Sequence, residues 1–158
     1  IYIDDTSAIS LLVVRAKTRR MILKKEIKMI IIDYLQLMSG TGHNREQEIS
    51  SISRGLKAIA KDLDITVIAL SQLNRLPEGR TNKEPQLSDL RESGAIEKDA
   101  DRVMLIYRPA LYKIESINVN NQELDTKGVM VINMAKNRNG VTGEFILFHN
   151  ESTTIIHD

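Results

Sequence analysis

Apolar residues along this chain come in short runs at two spacings, and the expected elements follow from them. Met29-Ile30-Ile31-Ile32 is a continuous apolar run with three β-branched residues. It predicts a strand buried on both faces, as in parallel sheets covered by helices. Ile65 to Leu70 predicts a second buried strand and Val103 to Tyr107 another. Between the first two, Ile49, Ile52, Leu56, Ile59 and Leu63 recur at offsets of three and four, the mark of an amphipathic helix. Asn44 with Gln47 resembles a capping box at its start. An earlier helix from Ser10 to about Glu26 is expected to turn Ile9, Leu12, Val13, Ala16, Leu23 and Ile27 inward, with Arg20 interrupting. Its Arg15, Lys17, Arg19, Lys24 and Lys25 read as a solvated face or as a basic stripe meeting an acidic neighbour.

The remaining elements are shorter. Ile1-Tyr2-Ile3 reads as a strand that ends at the turn formers Asp4-Asp5-Thr6. A short helix is expected from Ala95 to about Asp99. Residues 39–43 and the polar segment 74–86 read as loops, the latter mobile, and 109–127 has no regular pattern. The final third reads as β-rich: Val129 to Ala135, a tight turn over Lys136-Asn137-Arg138-Asn139-Gly140, Glu144 to Phe148 and Thr153 to Ile156. Asn-Gly is the hairpin signal there. Strands alternating with helices imply βαβ units in a parallel, right-handed arrangement. The expected class is therefore α/β, a largely parallel sheet flanked by helices, with a C-terminal β-hairpin region.

Composition narrows the chemistry. The 158 residues fit one domain with a real core, and the 4% aromatic content without Trp makes that core aliphatic. A net charge of +1 arises from cancellation of 22 basic and 21 acidic residues, so any contact with nucleic acid must come from local groups. The absence of cysteine excludes a disulfide framework, a thiolate metal site and a Cys nucleophile. His43, His149 and His157 lack metal-ligand spacing. No apolar run approaches the ~18 residues of a membrane span and no signal peptide is visible, so a cytoplasmic protein is expected.

Four places could carry chemistry. Asp33 stands at the C-terminal end of the first apolar strand, the edge where open α/β sheets bind ligands. Such a strand and aspartate describe the Walker B element that helps hold Mg²⁺ beside phosphates, and equally an aspartate that caps a loop. Gln72 follows the next strand, where a neutral amide can touch a γ-phosphate or an attacking water, or simply begin a loop. Lys136 and Arg138 lie two residues apart, so extended backbone would point both at one phosphate group. A basic hairpin tip in water is the alternative. Arg91, Glu92 and Gly94 combine a guanidinium, a carboxylate and open backbone, which suits phosphate oxygens of a nucleic-acid strand. An internal Arg–Glu pair explains the first two as well. No G-x-x-x-x-G-K-[ST] phosphate loop occurs in these residues; Gly79-Arg80-Thr81 echoes only its end. Glu46, Glu48 and Glu92 offer no supported general base.

Four segments in this order, Ile31-Ile32-Asp33-Tyr34-Leu35-Gln36-Leu37-Met38, Ser71-Gln72-Leu73-Asn74-Arg75, Leu87 to Glu97, and Ala135-Lys136-Asn137-Arg138-Asn139-Gly140, closely resemble the DnaB family of bacterial replicative helicases. The likeness extends over nearly the whole chain. It implies a RecA-like P-loop NTPase core, with residues 1–158 as its later, C-terminal portion. It also implies a homo-hexameric ring that hydrolyses ATP with Mg²⁺ at subunit interfaces, moves 5′ to 3′ on single-stranded DNA and unwinds duplex at the replication fork. By residue match, Asp33 is the Walker B aspartate, holding Mg²⁺ through water, and Gln72 the γ-phosphate sensor. Arg138 is the arginine finger acting in trans with Lys136 beside it, and Arg91, Glu92 and Gly94 face DNA. Primase and a helicase loader are the implied partners, in the cytoplasm at nucleoid-associated forks.

The resemblance has gaps. The family's Walker A lysine and threonine, its catalytic glutamate and its N-terminal primase-binding domain have no counterpart here, so the 158 residues alone are expected to be inactive. Lys98 stands where Gln is usual, Asn137 where Gln or His is usual, and Ser7-Ala8 replaces Pro-Gly. Another RecA-like ATPase, or a non-catalytic RecA-like module that binds nucleic acid or a partner, are the competing readings.

Overall fold

Helix α2, Arg45–Leu63, organises the first of two compact units, residues 1–73 with 90–100. The computed structural model describes residues 1–73, 79–80, 83–119, 122–150 and 155–157, with backbone only at 91–93, 122 and 157. Asn44 caps α2 by accepting from the Gln47 N–H at 2.9 Å, while the Gln47 side chain accepts from the His43 N–H at 2.9 Å. The expected stripe faces inward: Ile49, Ile52, Leu56 and Ile59 are buried and Leu63 partly so. Strands β1 (Met29–Ile32) and β2 (Thr66–Ala69) pair in parallel on either side of α2 in sequence, with Met29 opposite Thr66 and Ile32 opposite Ala69. Ile30, Ile32 and Val67 pack on the α2 core, whereas Met29, Ile31 and Ile68 are exposed. The sequence predicts burial on both faces; among the described residues one face of this pair packs on the core and the other is exposed.

Helix α1, Leu11–Lys25, has the expected limits but a different buried face. Val14 and Thr18 are buried and Leu11 packs on the core, while Leu12 and Leu23 are 77% and 79% exposed. Leu11 to Val14 are all apolar, so the run spans most of the helix circumference and leaves the orientation to a neighbour. Leu11 seats over Gly55 of α2: a Cβ there would lie 2.3 Å from Leu11 Cδ1, so a larger residue at 55 would make the Leu11 side chain shift. Residues 1–3 form no strand, having no pairing partner among the described residues, and Ile1 and Ile3 are exposed. Ala8, where the resembled family has glycine, sits at φ 50°, in the left-handed region. Helix α3, Gly94–Asp99, packs against α2 through Ile96.

The second unit comprises residues 74–89 and 101–158. Its four-stranded sheet has the order β3 (Arg102–Tyr107), β6 (Val129–Asn137), β7 (Gly143–His149), β8 (Ile156–His157), all antiparallel. The α/β class therefore holds, with parallel pairing between β1 and β2, an isolated parallel bridge between Ser10 and Ser39, and antiparallel pairing between the other described strands. Val103, Leu105 and Tyr107 alternate inward along β3, and Tyr107 packs with Val129 and Val131. The segment expected to be irregular contains a small hairpin, β4 (Ser116–Val119) with β5 (Gln122–Asp125). Strand β6 runs two residues beyond Ala135, because Arg102 and Val103 supply partners for Asn137 and Lys136. Of the polar loop expected over 74–86, residues 74–78 and 81–82 lie outside the described residues. No helix among the described residues is long and apolar enough to cross a membrane.

Urea unfolding tests the core assignment: Ile52→Ala should lower stability by about 2–5 kcal/mol, and Leu12→Ala by no more than about 0.5 kcal/mol. Ala8→Gly should raise it by up to about 1 kcal/mol, the relief of a left-handed alanine less the extra chain entropy of glycine.

Candidate nucleotide and nucleic-acid sites

Parallel pairing places both strand ends of the first unit at one edge. Asp33 follows β1 directly, and the peptide bond from Asp33 to Tyr34 is cis. The ladder continues beyond the strands, with the Leu70 N–H donating to Ile32 O and the Leu35 N–H to Leu70 O, each at 2.9 Å. Gln72 stands two residues after that last rung. Both side chains belong to exposed residues, and neither makes a hydrogen bond or ion pair among the described residues. A carboxylate and a carboxamide thus point from neighbouring tips of the ligand edge.

Gln36, unremarked in the sequence, lies between them. Its Nε2 donates to Ser71 Oγ at 3.1 Å and to the Gln72 carbonyl at 3.2 Å, and its Oε1 accepts from the Gln72 N–H at 3.3 Å. Its own carbonyl accepts from the Arg45 guanidinium, which also pairs with Glu48. Glu48 in turn accepts from the Gly40 N–H, and these two donors hold its carboxyl below the usual carboxylate range. The contacts of Gln36 with Ser71 and Gln72 join residues distant in sequence and leave no periodic signal.

Magnesium suits the donor set at Asp33. The described residues contain no cluster of three or more His, Cys, Asp or Glu that could cage a metal. Mg²⁺ characteristically takes one or two protein carboxylates and completes its shell with water and substrate phosphates. One exposed carboxylate beside an open edge fits that habit.

In the second unit, Arg138 opens the turn after β6. Its backbone N–H donates to Asp101 O at 2.8 Å, and its Nη1 donates to Asp101 Oδ1 at 3.2 Å, with the Arg138 side chain 50% exposed. Arg138 therefore lies on the surface, away from its own core. Asn137 braces the turn, its Nδ2 donating to Val141 O at 3.0 Å. A Cβ at position 140 would stand 2.6 Å from that nitrogen, so a larger residue there would displace the Asn137 amide. Lys136 is a strand residue opposite Val103 and not part of the turn.

Arg91 and Glu92 occupy the short 3₁₀ segment Leu87–Ser93, and their side chains lie outside the described residues. Gly94 is exposed with open space where a Cβ would be. Just before them, Arg80 meets the buried Asp89 through two hydrogen bonds, at 2.7 and 2.6 Å, and also donates to Glu84 O at 3.0 Å. The Gln86 N–H adds a 2.7 Å bond to Asp89. Arg80, whose place in a phosphate-loop echo was the sequence's only hint, is thus a loop staple.

Strands tipped by Asp33 and Gln72 and backed by helices define an α/β domain of the RecA-like class. Residues 1–158 match the family described as DnaB-like helicase C terminal domain, and the chain belongs to that family. It is 49% identical over 146 residues to the replicative DNA helicase DnaB of Geobacillus stearothermophilus, covering 90% of this chain and 30% of that protein. Rickettsia prowazekii DnaB is 46% identical over 159 residues, covering 94% and 33%. The chain thus spans about a third of the length of these curated relatives. Among solved structures, the ATPase domain of G40P superposes with a TM-score of 0.82 at 38% identity, covering 95% of this chain and 51% of that one. A structure of a DnaB-like replicative helicase and its interactions with primase gives 0.77, also at 38% identity, covering 90% and 34%.

Arg80 holds the Asp89 carboxyl below its ordinary pKa against the opposing effect of burial. A lowered folded pKa contributes stability above the unfolded value, and that contribution is lost as pH falls through the folded value. Asp89→Asn should therefore cost on the order of 3 kcal/mol at neutral pH. The penalty should shrink below about pH 4, near the unfolded aspartate pKa; urea unfolding across pH measures it.

Proposed function

We propose that residues 1–158 form the later part of the RecA-like ATPase domain of a replicative DNA helicase. The complete protein would be a homo-hexamer that hydrolyses ATP at subunit interfaces, moves 5′ to 3′ on single-stranded DNA and parts the duplex at the fork. The observation that carries this reading is the placement of Asp33 and Gln72 on adjacent tips of a parallel strand pair. Membership of the DnaB-like family supports it. Primase is the partner suggested by the helicase structure described with its primase interactions. A helicase loader and action in the cytoplasm, at nucleoid-associated forks, belong to the same reading.

In this mechanism Asp33 holds Mg²⁺ through water, and Gln72 donates its amide N–H to a γ-phosphate oxygen or orients the attacking water. When bound, Mg²⁺ would supply neutralisation of the phosphate charge. Arg138, assisted by Lys136, reaches across to the neighbouring subunit's nucleotide, where a guanidinium stabilises transition-state charge. Leaving Asp101 is inexpensive, because an exposed ion pair contributes at most about 1 kcal/mol. Arg91, Glu92 and Gly94 meet the DNA backbone, with Gly94 leaving room for a phosphate. The 158 residues contain no phosphate cradle, so hydrolysis requires groups that they do not supply.

The test mixes two variants of the complete polypeptide, Asp33→Ala and Arg138→Ala. Each alone should hydrolyse ATP roughly 10³-fold more slowly or worse. Mixing them should restore part of the rate, since some interfaces then pair an intact Asp33 with an intact Arg138 from the next subunit. A mixture no faster than its components contradicts the trans arrangement.

A further inference from the structure

Gln72 stands beyond the last rung of the β1–β2 ladder, where no strand pairs with it among the described residues. Gln36 supplies the missing partner. Its side-chain amide offers one acceptor and two donors, and the peptide of Gln72 presents the complementary pair. The Gln72 N–H donates to Gln36 Oε1 at 3.3 Å, and Gln36 Nε2 donates to Gln72 O at 3.2 Å. The remaining donor goes to Ser71 Oγ at 3.1 Å. A carboxylate of the same shape lacks the donors, and an ammonium lacks the acceptor.

Gln36 is itself held from two sides. Leu35, its neighbour, donates its N–H to Leu70 O, and the carbonyl of Gln36 accepts from Arg45 at the start of α2. It lies only three residues after Asp33. The side chain therefore ties the loop after β1 to the loop after β2, while the backbone carbonyl of the same residue is held by the first turn of α2.

We infer that Gln36 is a positioning residue for ATP hydrolysis: it fixes the Gln72 backbone so that the Gln72 carboxamide is held beside the γ-phosphate and in register with Asp33. This rests on the proposed role of Gln72. A residue that acts this way alters the rate of the chemical step through Gln72 and leaves nucleotide affinity nearly unchanged. Loss of such a supporting hydrogen-bond partner reduces activity by roughly 10–100-fold where it has been measured around metal sites.

The experiment is a double-mutant cycle in the complete polypeptide, read by steady-state ATP hydrolysis. Gln36→Ala should lower kcat roughly tenfold or more, with KM for ATP changed less than about twofold, as expected when only the transition-state contact is lost. Introduced into Gln72→Ala, the same substitution should produce no further loss, since the group it positions is gone. Gln36→Glu, which keeps size and acceptor but not donors, should reproduce the Ala result and serves if Gln36→Ala fails to fold. A full-size additional loss in the Gln72→Ala background, or a wild-type kcat for Gln36→Glu, overturns the inference. If Gln72→Ala itself hydrolyses ATP at the wild-type rate, the γ-phosphate role of Gln72 fails first, and the positioning role falls with it.

Discussion

The register of β1 against β2 is the constraint on which the proposed chemistry rests. Parallel strands end on the same side of a sheet, and pairing of Ile32 with Ala69 makes these two end together. An antiparallel pairing of the same strands would carry Asp33 and Gln72 to opposite edges, about 13 Å apart at ~3.3 Å per residue for a four-residue strand. The register is held by burial: Ile30, Ile32 and Val67 share one face and pack on α2, so a one-residue slip would turn them outward. Gly55 and Leu11 then set how closely α1 crosses α2. Packing far from the ligand edge thus determines which side chains meet there.

The second unit solves a different problem, that of presenting a guanidinium on a stiff support. Arg138 sits just past a nine-residue strand paired on both sides, in a turn braced by the Asn137 amide, which lies close over Gly140. The backbone is anchored to Asp101, and the half-exposed side chain forms an ion pair with the same residue. An anchored backbone with a half-exposed guanidinium suits a residue proposed to act on another subunit's nucleotide. It also separates the two halves of the chemistry, since Asp33 and Gln72 belong to one unit and Arg138 to the other.

Legibility in the sequence followed the physics of each element. Helix α2 was readable because five apolar residues at helical spacing and an Asn-Gln cap agree. The two parallel strands were readable as apolar runs, although their outer faces are exposed. The buried face of α1 was not, because four consecutive apolar residues carry no direction and the choice depends on packing against α2. Hairpin β4–β5 escaped notice because its strands are short and largely polar. Lys136 was assigned to a turn because the pairing that keeps it in strand comes from Arg102 and Val103, distant in sequence. Gln36 and the Arg80–Asp89 pair were invisible for the same reason: a side chain bonded to a group 36 or 9 residues away imposes no pattern on its neighbours. The roles of Gln72 and Arg138 came from family resemblance, which position alone did not distinguish from a loop start or a solvated hairpin tip.

The most direct measurement is a structure of the complete polypeptide with Mg²⁺ and a non-hydrolysable ATP analogue. The Gln72 carboxamide should lie within about 3.2 Å of a γ-phosphate oxygen. The Asp33 carboxylate should reach Mg²⁺ through one water, at roughly 4 Å given octahedral Mg–O distances near 2.1 Å. A nucleotide bound at any other edge, with Asp33 and Gln72 both remote from its phosphates, would contradict the assignment of this strand pair as the catalytic edge.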